Sequence, residues 1–238
     1  MSQHHILTPT EHQHLRIHIG HGAAFGDKVM ACLAVPLEFR RLANDYPILF
    51  RFDPATRSFS ALALMGFEPE ENLFLDHTNW HAGAKPLALA IQPFLVGRSS
   101  NPDAPGQVHI DLDHPRIARG EDGVRLFDEL GQPTPFLEQA VAKLSELDAG
   151  YRASADFFES LDRYELLEPC SFDVPGVGGG DHRLVGYHII NEDKLANLEP
   201  SALIELHSSG HLMQIFMAVA SLGNIAKLAR RRGELHHV

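Results

Sequence analysis

Only two cysteines, Cys32 and Cys170, occur in the 238 residues. That is neither the density of a disulfide-stapled scaffold nor the close pairing of a zinc site, so a reducing, cytoplasmic compartment is expected. Basic residues are scarce as well: 20 Lys and Arg stand against 31 Asp and Glu, a formal net charge of −11. This argues against nucleic acid as a partner, because phosphate contacts dominate that affinity and need clustered cations. The one dense basic patch, Arg230-Arg-Arg232, reads as a complement to the negative end of a helix dipole. No basic stretch followed by an apolar one opens the chain, so no Sec-type signal peptide is expected, and a surface role would need export by another route. No window approaches about 20 uninterrupted apolar residues, and the nearest, Leu212 to Leu222, is broken by Gln214 and Ser221. A soluble chain without a membrane span is expected. Also missing are a Gly-x-Ser-x-Gly elbow, a Cys–His nucleophile pattern and a kinase set, so catalytic residues stay unassigned.

What is present is an ordinary globular composition, 44% hydrophobic, on a chain long enough for one large domain or two small ones. His12 to Gly20 alternates strictly, with Leu15, Ile17 and Ile19 on one side and His14, Arg16 and His18 on the other, the pattern of a half-buried strand. His14 and His18 share a face suited to a metal, but Arg16 between them favours a solvated edge. Pro36 to Ala43 reads as a short helix with proline in its first turn. Ile48 to Phe52 and Phe59 to Met65 read as strands joined by an Asp53-Pro54 turn, followed by strands at Asn72 to Asp76, Pro86 to Val96 and Val108 to Leu112. Short strands at such intervals favour an antiparallel sheet. Pro115 to Pro135 has the most linker-like composition. Thr134-Pro135 then opens a long helix with a buried stripe of Leu137, Val141, Leu144, Leu147, Tyr151, Phe158 and Leu161, and Gly150 marks a point where it can kink or break. Cys170 to Val174 and Arg183 to Ile190 form a hairpin around Pro175-Gly-Val-Gly-Gly-Gly-Asp181. Because a strand and not a helix follows, that glycine loop is a hairpin tip rather than a phosphate site.

Two constellations carry possible chemistry. In His109-Ile-Asp111 the histidine and the carboxylate share a strand face. With His188 or His182 as third ligand they would make a two-histidine, one-carboxylate metal site of the kind that holds iron(II). Against it, the second carboxylate Asp113 is foreign to that pattern, and the 16 histidines raise the rate of chance matches. The other is Asp76-His-Thr-Asn-Trp-His81, where Asp76, Trp80 and His81 lie at a strand end and could line a ligand pocket. The competing reading has Trp80 simply plugging a sheet edge.

The last fifth of the chain has apolar positions at Leu212, Ile215, Phe216, Val219, Leu222, Ile225, Ala226 and Ala229, which predict one helix of about five turns with Phe216 in the core. Here Gly186-Tyr-His-Ile-Ile-Asn-Glu-Asp-Lys-Leu195, Leu203-Ile-Glu-Leu-His207 with Gly210-His-Leu212, and Ala220-Ser-Leu-Gly-Asn224 resemble the C-terminal region of the bacterial SapC-like family. The likeness extends upstream through Gly26-Asp-Lys-Val-Met30, Tyr46-Pro-Ile-Leu-Phe50, Gly66-Phe-Glu-Pro-Glu-Glu-Asn-Leu-Phe-Leu-Asp76 and His109-Ile-Asp-Leu-Asp113. The family takes its name from a surface-array protein, and the resemblance implies no particular reaction and no cofactor. The expectation is a single α+β domain over residues 1–238, an antiparallel sheet covered by the long central helix and a C-terminal helix pair. Its expected role is non-enzymatic binding or assembly through a small ligand, a protein partner or self-association. The alternative is a metal-dependent oxygenase, or an accessory component of one, built on His109 and Asp111.

Overall fold

The computed structural model of the chain describes residues 3–97, 106–175 and 181–236. In chain order its first strands are β1 (His4–Ile6), β2 (Arg16–Ile17), β3 (Ala31–Ala34), β4 (Ile48–Asp53), β5 (Ser58–Leu64), β6 (Leu75–Asp76) and β7 (Asn79–Trp80). There follow β8 (Phe94–Gly97), β9 (Gln107–Asp111), β10 (Ile117–Ala118), β11 (Val124–Arg125), β12 (Leu167–Pro175) and β13 (Asp181–Ile190). The helices are α1 (Pro9–His12), α2 (Phe39–Leu42), α3 (Leu87–Ala90), α4 (Pro135–Arg163), α5 (Glu192–Ala196), α6 (Pro200–Ser208), α7 (His211–Ser221) and α8 (Asn224–His236). The fold is α+β, with antiparallel sheets, a long central helix and a C-terminal helix pair. The glycine-rich hairpin tip and the polar loop after Gly97 fall on residues 176–180 and 98–105, outside the described residues.

Two compact units make up the chain: Met1–Lys28, Leu75–His81 and Leu87–Ala149 in the first, Val29–Phe74, Ala82–Pro86 and Gly150–Val238 in the second. In the first unit β9 pairs antiparallel with β1 and β8, and β2 pairs with β10 and β11. Alternation along β9 sends Ile110 inward, where it packs with Ile17, Phe94, Leu126 and Phe127 against Leu137 and Leu144 of α4. The predicted strand from His12 to Gly20 shrinks to Arg16–Ile17, because the Thr8 side chain caps a short helix ahead of it and Ile19 is exposed. The linker-like stretch from Pro115 is instead structured: Leu126 and Phe127 are core, and Arg116 is buried. Its polar composition serves an internal ion pair and two short strands. Thr134 caps α4 as expected, its Oγ1 accepting the Leu137 amide at 3.4 Å.

The second unit is built on a five-stranded antiparallel sheet of order β12-β13-β4-β5-β3. Phe50 of β4 lies opposite Ala61 and His188 and is fully buried, with Phe39 at 6.4 Å and Phe158 at 6.3 Å between ring centroids. Such offset and edge-on contacts add to the area these rings bury. The helix α4 runs unbroken through Gly150. A Cβ there would come within 2.8 Å of Val35 Cγ2, so the glycine secures a close approach to the segment after β3.

The expected C-terminal helix is interrupted between Ser221 and Asn224, giving α7 and α8. Its buried face is also not the predicted one, since Phe216 is 49% exposed while Ile215, Ala218, Ser221, Asn224, Leu228 and Arg232 are buried. The polar members satisfy buried backbone. Ser221 Oγ accepts the Ile48 amide at 2.9 Å, and Asn224 Nδ2 donates to the Ala43 and Tyr46 carbonyls. Arg232 pairs with Glu68 and, at 3.0 Å, with Glu71. By length and composition alone His211–Leu235 is apolar enough to cross a membrane, with 28% of that window buried. Its inward polar contacts are those of a helix pair docked on this unit.

Candidate functional site

The β4–β5 hairpin of the second unit sets up a concave surface. Register puts Phe52 opposite Phe59 and Asp53 opposite Ser58, with the two rings 5.1 Å apart. The turn between them is tied by Asp53 Oδ1, which accepts the Ala55 amide at 2.9 Å, and by a 2.8 Å contact between the Thr56 and Ser58 hydroxyls. Facing this surface is the later part of α4. Tyr151, Ala155, Phe158 and Asp162 recur at spacings of three and four, which aligns them on one helix side. Ser154 is occupied with its own helix, donating to the Gly150 carbonyl at 2.7 Å.

Between strands and helix lies a cavity of about 620 Å³. Leu33, Ala34 and Val35 form one wall, Phe52 and Phe59 another, and Tyr151, Ala155 and Phe158 the helix side. Asp53, Arg57, Glu159 and Asp162 supply its charges. Tyr151 was expected in the buried stripe of α4 but is 55% exposed, on the side of the helix that lines the cavity. Phe52 is likewise 40% exposed, so apolar surface stays open to solvent where the cavity lies.

His188 sits next to this region: its ring meets Phe59 edge-on at 5.0 Å between centroids. Its Nδ1 is buried without a hydrogen-bond partner among the described residues, and burial lowers its pKa from the ordinary value, favouring the neutral ring. His109 and Asp111 belong to the other unit, so the three residues considered as metal ligands are divided between the units. The His109 ring lies against Gly97, where an added Cβ would come within 1.9 Å of Nε2. The Asp111 carboxylate accepts the Asp113 amide at 3.1 Å. His182 lies opposite Val174 in the β12–β13 ladder. Among the described residues no group of three or more His, Cys, Asp or Glu is arranged to hold a metal ion.

The second sequence candidate is brought together within the first unit. Asp76 lies 3.6 Å from His81 Nε2 and 3.6 Å from His77 Nε2, and the Trp80 ring is 5.9 Å from that of His21. Behind His21 is a buried pair that the sequence did not reveal. Arg116 Nη2 donates to both Asp27 oxygens at 2.8 and 2.9 Å, and its Nη1 donates to the His18 and Gly20 carbonyls. Asp27 Oδ2 also accepts the Gly22 amide at 3.1 Å. This fastens the His18–Asp27 loop. The neighbouring His114 is held below its ordinary pKa by burial and then by the Arg116 charge. With the guanidinium donating to Asp27 and to two backbone carbonyls, the arrangement acts as a structural clamp.

A family model described as SapC matches residues 7–228. The chain belongs to the SapC family. No curated protein and no solved structure matches it. One of the segments that carry the family resemblance near the end of the chain is a packing element: Ser221 and Asn224 tie α7 and α8 to the start of β4 and the loop before it. Phe52, Phe59, Tyr151, Phe158 and Asp162 went unrecognised as a site in the sequence of this SapC-family chain. Their available signal was two small residues, Ser154-Ala155, between aromatic positions one helix side apart.

Proposed function

We propose that this SapC-family chain is a non-enzymatic binding protein that takes a small ligand with an apolar body in the cavity between the β4–β5 hairpin and α4. The observation that carries this reading is the cavity itself. Its volume of about 620 Å³ falls within the range of about 300 to 1,000 Å³ typical of small-molecule sites, and its walls are aromatic and aliphatic with a few polar groups. Hydroxyls and carboxylates at its edge suit orientation of a ligand, and the Ser154 hydroxyl is committed to the helix backbone rather than poised as a nucleophile. Further proposals accompany it. The family match runs over segments of both units, which supports treating residues 1–238 as a single functional domain. The two unpaired thiols support a cytoplasmic setting, and exposed Ile204, Met213 and Phe216 support a protein partner or self-association.

The test is to fill the cavity. Ala155 is an exposed helix position on the cavity wall, so Ala155→Trp should close the space without unfolding the helix. Nile red, a neutral dye that brightens in apolar surroundings, should bind the wild-type chain and lose most of its binding to the variant. Equal binding to both proteins would remove the cavity as the site.

A further inference from the structure

We infer that the ligand is a small organic cation, an amine or quaternary ammonium on an apolar body. This rests on the cavity reading proposed above and adds the charge of the occupant. Four aromatic rings, Phe52, Phe59, Tyr151 and Phe158, line one space, and ring faces attract cations through their quadrupoles. The charges of the lining point the same way, with Asp53, Glu159 and Asp162 against Arg57 alone.

These carboxylates are not equally committed. Asp53 accepts the Ala55 amide at 2.9 Å and Glu159 takes a bond from Arg163 at 3.0 Å. The Asp162 carboxylate has no hydrogen-bond or ion-pair partner among the described residues, and Asp162 lies one helical turn beyond Phe158 on the cavity side of α4. A cation resting on the Phe158 and Phe52 rings would therefore meet a carboxylate free to neutralise it. An anion in the same place would face Asp162 and Glu159. Arg57, in the exposed turn with φ of 53°, is the one cation of the lining and belongs to the hairpin rather than to the helix wall.

The experiment displaces Nile red from the full chain with three probes that share one aromatic body: phenethylammonium, 2-phenylethanol and 3-phenylpropionate. The ammonium is expected to compete at about tenfold lower concentration than the alcohol, and the carboxylate to be the weakest. Asp162→Asn should bring the ammonium close to the alcohol and leave the alcohol unchanged, and added salt should narrow the gap in the wild type. Equal competition by ammonium and alcohol overturns the cationic class and leaves the cavity reading standing. Preference for the carboxylate also overturns it and makes Arg57 the group that reads the ligand. Dye binding that survives Ala155→Trp overturns the cavity reading, and this inference with it.

Discussion

Gly150 offers a test in which two general rules give opposite signs. Replacing a glycine inside a helix by alanine ordinarily stabilises by about 1 kcal/mol, through lower backbone entropy in the unfolded chain. Here the new Cβ would stand 2.8 Å from Val35 Cγ2 and 3.2 Å from Val35 Cβ, and Val35 is itself 1% exposed. Overpacking of this kind costs about 1 to 3 kcal/mol, so Gly150→Ala should be destabilising by roughly 1 kcal/mol once the helix gain is subtracted. In a Val35→Ala background the 2.8 Å clash with Cγ2 is removed and only the tight 3.2 Å contact with Cβ stays, so the same substitution should range from neutral to stabilising by up to about 1 kcal/mol. Urea unfolding of the four proteins in this cycle measures the coupling directly, expected at about 1 to 2 kcal/mol. If Gly150→Ala stabilises the wild type as much as it stabilises Val35→Ala, the segment after β3 does not pack on α4, and the wall of the cavity is misplaced.

Asp27→Ala should destabilise by about 3 to 5 kcal/mol, since it leaves the Arg116 charge buried without its partner; a change below 1 kcal/mol in chemical denaturation would show the pair to be solvated. Ile215→Ala should cost about 2 to 5 kcal/mol and Phe216→Ala less than about 0.5 kcal/mol, because only the first is buried. The reverse order in unfolding midpoints would restore the face predicted from the sequence. His114, His188 and His211 are each held below the ordinary value of 6.5 chiefly by burial, so the unfolded chain takes up protons first. Their contribution is fully present above about pH 6.5 and is lost as pH falls through the lower folded values, so the urea midpoint should drop between about pH 7.5 and 5.5. A flat or rising midpoint over that interval would refute the burial of these rings.

The elements legible in the sequence were those fixed by local chemistry. The Thr134-Pro135 start of α4, the Asp53-Pro54 turn and the alternation of β9 each carry their own instructions in neighbouring residues. What local pattern could not say was which side of a helix meets the rest of the protein. From Leu212 onward the apolar stripe and the buried stripe differ, because Ser221 and Asn224 turn inward to hydrogen-bond backbone groups of Ala43, Tyr46 and Ile48. The Pro115 stretch was misjudged for a related reason: Arg116 is polar in sequence and buried in the fold, since its partner Asp27 lies 89 residues away. The cavity was hidden for the opposite reason. Tyr151 and Phe158 fit a core stripe by spacing, and only the fold shows both of them lining a cavity, with Phe158 also packed on Phe50 and Tyr151 largely exposed. Of the sequence candidates, Asp76, Trp80 and His81 do share a surface with His77 and His21, while His109 and Asp111 fall in a different unit from His188.

The central claim is that a small ligand occupies the space between the β4–β5 hairpin and α4, and amide chemical-shift mapping of the full chain during titration with phenethylammonium tests it most directly. The shifts should concentrate at Leu33 to Val35, Phe52 to Ser60 and Tyr151 to Asp162, the segments that line the cavity. Shifts confined to α6 and α7, around exposed Ile204, Met213 and Phe216, would locate binding on the surface of the C-terminal helices and contradict the account.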